Sequence, residues 1–158
     1  MIHIDQLANF FLLCPEEESG DVITHLKVQK LAYYAQAWYL AFHDGAPLVD
    51  EDFEAWAHGP VCPPIYDRFS AFGFSPIPRA VASAAAENSF GDALNHLSDV
   101  WQVYGKFTAK ELERITHSEE PWIEARGNLG PLERSNTVIS RQTMQTYYAN
   151  RLADVQEK

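Results

Sequence analysis

The stretch Thr24-His25-Leu26-Lys27-Val28-Gln29-Lys30-Leu31-Ala32-Tyr33-Tyr34-Ala35-Gln36-Ala37-Trp38-Tyr39-Leu40-Ala41-Phe42 carries the architecture. At about 100° per residue, Val28, Leu31, Ala32, Ala35, Trp38, Tyr39 and Phe42 share one apolar face, while Tyr33, Ala37, Leu40 and Ala41 lie on the opposite side. A helix that is apolar on both sides belongs at the centre of a core. Gln29 and Gln36 occupy one flank, Lys27 and Lys30 the other. A buried ammonium group left unpaired is costly, so these lysines require carbonyl or carboxylate partners. Asp21 or Thr24 can cap the helix at its start. His43-Asp44-Gly45-Ala46-Pro47 ends it, with a glycine free to turn left-handed and a proline that cannot continue the helix.

Working outward, Ile4, Leu7, Ala8, Phe11 and Leu12 have helical spacing and stop at Cys14-Pro15. Glu16-Glu17-Glu18-Ser19-Gly20 reads as a charged loop. Residues 48–61 are acidic at Asp50, Glu51, Asp52 and Glu54, close on Trp56-Ala57-His58-Gly59-Pro60-Val61, and hold a short extended piece. Pro63-Pro64 starts a helix carrying Ile65, Tyr66, Phe69 and Phe72 up to Gly73. Pro76 and Pro78 mark a loop, and Ala80 to Ser89 reads as a connection or a marginal helix. Ala93, Leu94, Leu97, Val100, Trp101 and Tyr104 predict an amphipathic helix ending at Gly105. Thr108 and Glu111 form a capping box, with Phe107 and Leu112 as a hydrophobic staple. That helix runs to Thr116 or His117, and Pro121 to Arg126 forms a short successor ended by Gly127. Ile139, Ser140 and Met144 repeat the staple and cap before a last helix through Tyr147, Tyr148 and Leu152. The expected fold is mainly α, one compact domain over residues 1–158 built around helix 24–42.

At 158 residues with 46% apolar and 13% aromatic side chains, the chain has enough core for one domain and is not a disordered one. Its apolar stretches, Ala8–Cys14 and Leu31–Phe42, fall short of the ~18 to 20 residues that span a bilayer, and no secretory signal opens the chain, so the reading is cytoplasmic with no membrane partner. Cys14 and Cys62 read as buried thiols rather than a disulfide. The net charge of −10 is uneven, because residues 1–67 hold two lysines against eleven acidic side chains. An acidic half repels phosphate backbones and attracts basic partners.

Candidate chemistry is sparse. His58 and Cys62 flank a Gly-Pro turn, and a thiolate with a nearby base is one arrangement for nucleophilic catalysis, but neither an oxyanion donor nor an orienting group accompanies them. His25, His43, His58, His96 and His117 show no metal-ligand spacing. Asp50, Asp52 and Glu54 alternate like a calcium loop without its glycine or terminal glutamate. No phosphate-binding glycine loop or Gly-x-Ser-x-Gly elbow is present. The expectation is therefore no catalytic, cofactor or metal residue and no cofactor. Trp38, Trp56, Trp101 and Trp122, with Tyr33-Tyr34 and Tyr147-Tyr148, are assigned to the core, with a protein-binding surface as the alternative.

Residues 24–38 resemble the signature helix of the Panacea domain, the family of SocA-like antitoxins and phage-associated GepA proteins. Glu54 to Val61 followed by Ile65-Tyr66 is similar to its Trp-x-x-Gly-Pro-Val segment, and Val100-Trp101, Tyr104-Gly105, Leu112 and Thr116 to Trp122 are similar to its later blocks. The resemblance covers residues 4–150. Val28 and Ala32 stand where leucine is commoner, and His58 and Cys62 where other residue types are expected. On this resemblance the motif residues are Lys27, Gln29, Lys30, Tyr33, Gln36, Trp38, Trp56, Gly59, Pro60, Tyr66, Trp101, Thr116, His117, Pro121 and Trp122, in structural or partner-binding roles. It implies an antitoxin, not an enzyme, whose partner is a cognate toxin encoded beside it and neutralised by direct contact. Delivery of that toxin to a protease and an unassigned prophage role are the alternatives within the family. A Cys/His hydrolase is the alternative outside it. Direct nucleic-acid binding is disfavoured, because the most basic region, Lys106 to Arg126, also carries Glu111, Glu113, Glu119, Glu120 and Glu124. The oligomeric state is not implied.

Overall fold

The computed structural model describes residues 1–15, 22–83 and 90–156. Helix α1 (Ile4–Leu13) leads to α2 (His25–Phe42), whose N-cap Thr24 accepts a hydrogen bond from the Lys27 amide. Strands β1 (Glu54–Trp56) and β2 (Gly59–Val61) form an antiparallel hairpin with Trp56 opposite Gly59 and Glu54 opposite Val61. Helix α3 (Pro63–Phe69) tightens into a 3-10 turn at Ser70–Phe72. The short α4 (Ala80–Ser83), α5 (Leu94–Tyr104), α6 (Ala109–His117), α7 (Glu120–Arg126) and α8 (Arg141–Gln156) follow. The architecture is mainly α. The loop expected at Glu16 to Gly20, a cap at Asp21, and residues 84–89 of the expected connection lie outside the described residues.

Local sequence explains the element ends. Thr108 and Glu111 close a reciprocal capping box on α6, satisfying two amides that have no partner within the helix. Ser140 receives the Thr143 amide at the start of α8. Gly45 has φ +91° and donates its amide to the Leu40 carbonyl, ending α2 as expected.

Helix α2 is the centre, touched by α1, α3, α5, α6, α8 and β2. Val28, Leu31, Ala32, Tyr33, Tyr34, Ala35, Ala37 and Leu40 are all buried in one continuous hydrophobic cluster. Gln36 and Lys27 on its flanks are satisfied by backbone groups. Gln36 accepts the Leu48 and Val49 amides (2.8 and 3.1 Å) and donates to the Val49 carbonyl (3.1 Å), tying the chain after α2 back onto the helix. Lys27 Nζ donates to the Gly105 carbonyl at 2.7 Å, capping the end of α5.

Three expectations need correction. Phe42 is 53% exposed, because in the last turn of α2 its ring meets Trp38 and His96 and otherwise faces outward. The tryptophans are half-buried rather than core. An indole pairs a large apolar body with an N–H that needs an acceptor, and such acceptors lie near the surface. Trp38 donates to the Tyr104 hydroxyl, Trp56 to Glu54 and Trp122 to the Trp56 carbonyl (2.8, 2.9 and 2.9 Å). Cys62 is buried but Cys14 is half-buried, and both thiols are free.

Candidate protein-docking site

The hairpin is held from three sides. Lys30, fully buried on α2, donates from Nζ to the Pro60 carbonyl at 2.9 Å, so the expected carbonyl partner is present. The preceding residue, Gln29, accepts the Cys62 amide at 2.8 Å and its amide nitrogen reaches the Cys62 carbonyl at 3.3 Å. These two side chains occupy the backbone groups along β2 that would otherwise be an open sheet edge. From α7, Trp122 Nε1 binds the Trp56 carbonyl, and Arg126 donates to the Ala55 and Gly130 carbonyls at 3.2 and 2.7 Å. His117 stacks on Trp122 with centroids 4.0 Å apart and planes 11° from parallel. Its Nε2 is buried without a hydrogen-bond partner among the described residues, and burial lowers its pKa.

Gly59 is required by this arrangement. Its φ is +107°, and a Cβ there would lie 2.7 Å from Lys30 Cε and 3.0 Å from Thr116 Oγ1. The signature residues Gln29, Lys30, Trp56, Gly59, Pro60, Tyr66, Thr116, His117 and Trp122 thus meet around one hairpin, and Pro121 is buried at the start of the helix that clamps it. Lys27, Tyr33, Gln36, Trp38 and Trp101 do not join them. Tyr33 packs on Phe53 and Tyr148, Trp38 on Tyr148, and Lys27 lies over the Trp101 ring at 5.5 Å.

Burial pushes the Lys30 amine down to about 7, against the pull of the Glu113 carboxylate. An unfolded lysine keeps its proton to about 10.5, so between these limits the unfolded state binds more protons and stability rises with pH. Thermal unfolding followed across that window is expected to show the parent protein gaining stability relative to Lys30→Met. Parallel curves would mean that Lys30 is charged throughout.

The outer surface of the hairpin is different in kind. The Glu54–Val138 bridge, with Ala55 N to Thr137 O at 2.9 Å and Ile139 N to Phe53 O at 2.8 Å, adds a third extended segment beside β1. Strand alternation then divides the side chains. Phe53, Ala55, Pro60 and Ile139 are buried inward, while Glu54, Trp56, Val61 and Val138 share the outer face. A cleft of about 730 Å³ opens there, walled by Trp56, Val61 and Tyr66 on one side and by Leu132, Arg134 and Asn136 on the other. Trp56 and Tyr66 rings are 4.9 Å apart, and Leu132 is 83% exposed.

His58 and Cys62 are not assembled as a nucleophile and base. His58 Nδ1 faces Glu113 at 2.9 Å, while the Cys62 thiol is fully buried and pushed up to about 12 by burial, the backbone bond to Ile65 opposing. Among the described residues no group of three or more His, Cys, Asp or Glu side chains can hold a metal ion. Asp52 instead pairs with Arg141 at 3.2 Å.

The sequence matches the family model for the SocA-like antitoxin, Panacea domain, over residues 28–123. That span contains the hairpin, the α2 residues Gln29 and Lys30 that hold it, and the first turn of α7 with Trp122, while Arg126 lies beyond it.

The chain belongs to the SocA-like Panacea antitoxin family.

A curated relative, Antitoxin SocA of Caulobacter vibrioides (strain NA1000 / CB15N), is 31% identical over 134 residues, covering 75% of this chain and 69% of that protein. No solved structure matches. In this Panacea protein the motif is therefore chiefly a hairpin clamp, with Trp56 and Tyr66 presented on its outer side. Sequence reasoning missed Arg126 and the loop 132–136. Arg126 carries no periodic signal, since its partners are carbonyls at Ala55 and Gly130. The exposed Leu132 between Pro131 and Glu133 was the one available sign of a surface apolar group.

Proposed function

We propose that this protein neutralises an adjacently encoded toxin by direct protein–protein contact in the cytoplasm, without turning over a substrate. The observation that carries the reading is the outer face of the clamped hairpin, where two aromatic residues of the signature, the half-buried Trp56 and the 40% exposed Tyr66, line an open cleft. Tyrosine and tryptophan contribute most per residue at protein interfaces. The Trp56 side chain is also held by its indole bond to Glu54 and its ring contact with Tyr66, so less side-chain entropy is lost when a partner covers it. Family membership supports a toxin as that partner. The buried, protonated Cys62 thiol argues against thiol catalysis. Among the described residues no helix is long and apolar enough to cross a membrane.

Co-expression with the neighbouring toxin is expected to restore growth, and the two purified proteins are expected to co-elute as a stoichiometric complex. Restored growth with no complex at micromolar concentration would indicate targeted degradation in place of neutralisation by contact.

A further inference from the structure

We propose that the cleft between the hairpin and the 132–136 loop receives a segment of the toxin that carries an apolar side chain next to an aspartate or glutamate. This rests on the antitoxin reading and adds to it the chemistry of the contact.

The two walls of the cleft differ in kind. On the hairpin side stand Trp56, Val61 and Tyr66, an apolar surface with room beside it, about 730 Å³, for a few side chains. That surface is held in place, because Tyr66 is wedged between Trp56 and His25, with ring centroids 4.9 and 5.4 Å away. Facing it are Leu132, 83% exposed, and the polar Arg134 and Asn136. This second wall is anchored at both ends. Arg126 binds the Gly130 carbonyl at 2.7 Å, and the Thr137 carbonyl accepts the Ala55 amide at 2.9 Å. Between them, the Ser135 hydroxyl bonds the amide and the hydroxyl of Thr137, both at 3.1 Å. An apolar side chain entering the cleft therefore meets aromatic rings on one side and Leu132 on the other.

Charge selects its neighbour. Arg134 is the only formally charged side chain of the lining, which contains no carboxylate. Its guanidinium makes no ion pair or hydrogen bond among the described residues. The nearest acids in sequence and on the sheet are turned elsewhere. Glu54 accepts the Trp56 indole N–H, and Glu133 folds back on Gly130, where a Cβ would lie 3.2 Å from its Oε1. His58, also in the lining, has its Nδ1 against Glu113 at 2.9 Å. A guanidinium presents a fork of N–H donors that matches a carboxylate, so an acidic side chain is the complement of what the cleft leaves unpaired. The chain's net charge of −10 repels a broadly acidic partner, which makes this a single local contact. It also disfavours a nucleic-acid strand, whose backbone is held by several cations where this lining has one.

The test compares binding of the co-encoded toxin to the parent, Arg134→Glu, Leu132→Ser and, as a control on α5, Val103→Ser. All three positions are exposed, and thermal unfolding verifies that each variant folds. Arg134→Glu is expected to weaken affinity about tenfold or more at low salt, because an attraction becomes a repulsion, and less at high salt, where the Debye length is a few ångströms. Leu132→Ser is expected to weaken it several-fold at both salt concentrations, since an apolar contact is not screened. Val103→Ser is expected to change neither. Single Asp→Lys or Glu→Lys changes across the toxin are expected to include one that weakens binding to the parent and restores binding to Arg134→Glu. Unchanged or tighter binding by Arg134→Glu, unchanged binding by Leu132→Ser, or no restoring change in the toxin would overturn the proposal while a persisting complex leaves the antitoxin reading intact. Binding of a labelled single-stranded RNA by the parent that Arg134→Glu abolishes would assign the cleft to nucleic acid, and self-association that Leu132→Ser abolishes would assign it to a second copy; either overturns it. If the parent neither binds nor neutralises the toxin, contact neutralisation falls and the cleft assignment falls with it.

Discussion

Glu119→Leu is expected to destabilise the protein by about 3–5 kcal/mol, lowering the unfolding midpoint by roughly 10 °C in a domain of this size. Glu119, at the junction of α6 and α7, is only 2% exposed. One carboxylate oxygen accepts the Tyr34 hydroxyl at 2.6 Å and the Tyr148 hydroxyl at 3.0 Å, and the other binds Arg151 at 2.6 Å. This single side chain therefore joins α2, α7 and α8. Burial raises its pKa, and the hydrogen bonds and Arg151 work against that rise. Leucine fits the space but leaves the buried Tyr34 phenol without its acceptor, at about 1–3 kcal/mol, and Tyr148 with only the longer bond to the Tyr33 hydroxyl at 3.2 Å, while the buried end of the Arg151 pair is lost as well. Arg151 is half-exposed and turns to water at little cost. Glu119→Gln keeps an acceptor for both phenols and is expected to cost only about 1 kcal/mol. Equal losses for Gln and Leu in thermal or denaturant unfolding would show that charge, and not the hydroxyl network, is what matters.

Gly59→Ala is expected to cost about 3 kcal/mol and to loosen the hairpin selectively. A non-glycine residue at φ +107° is strained by about 1–3 kcal/mol before any contact is considered. The new methyl also meets Lys30 Cε at 2.7 Å. The end of a lysine side chain usually moves aside cheaply, but this one is enclosed and bonded to the Pro60 carbonyl, so displacement sacrifices that bond. Amide exchange should accelerate first at residues 54–62, with the centre of α2 least affected. Uniform acceleration through the whole chain would mean that the hairpin is not a separable unit.

Much of the helical framework was legible because it is local. The two-sided apolar pattern of residues 25–42, the Thr108–Glu111 box and the Ser140 cap are each written within one or two turns, and all reappear in the structure. The extended piece expected within 48–61 proved to be the hairpin at 54–61. Its third segment was not legible, because Val138 pairs with Glu54 across a long stretch of chain and Asn136-Thr137-Val138-Ile139 has no flanking turn signal of its own. Similarly, the need for partners at Lys27 and Lys30 was readable from their flank positions, whereas the identities Gly105 and Pro60 were not. Glu119 looked like one more surface acid beside Glu120. Only the packing of Tyr34 and Tyr148 from distant helices makes it the centre of a buried network. The tryptophans misled for a different reason: composition records a large apolar side chain, while the N–H decides how close to the surface it stays.

The most direct test of contact neutralisation at the hairpin is amide hydrogen exchange of the protein alone and bound to its co-encoded toxin. A stable complex that slows exchange in residues 54–66 and 132–138, while α5 exchanges as before, is the predicted result. Protection confined to α5 or to other helices, or failure to form a complex at all, would contradict it.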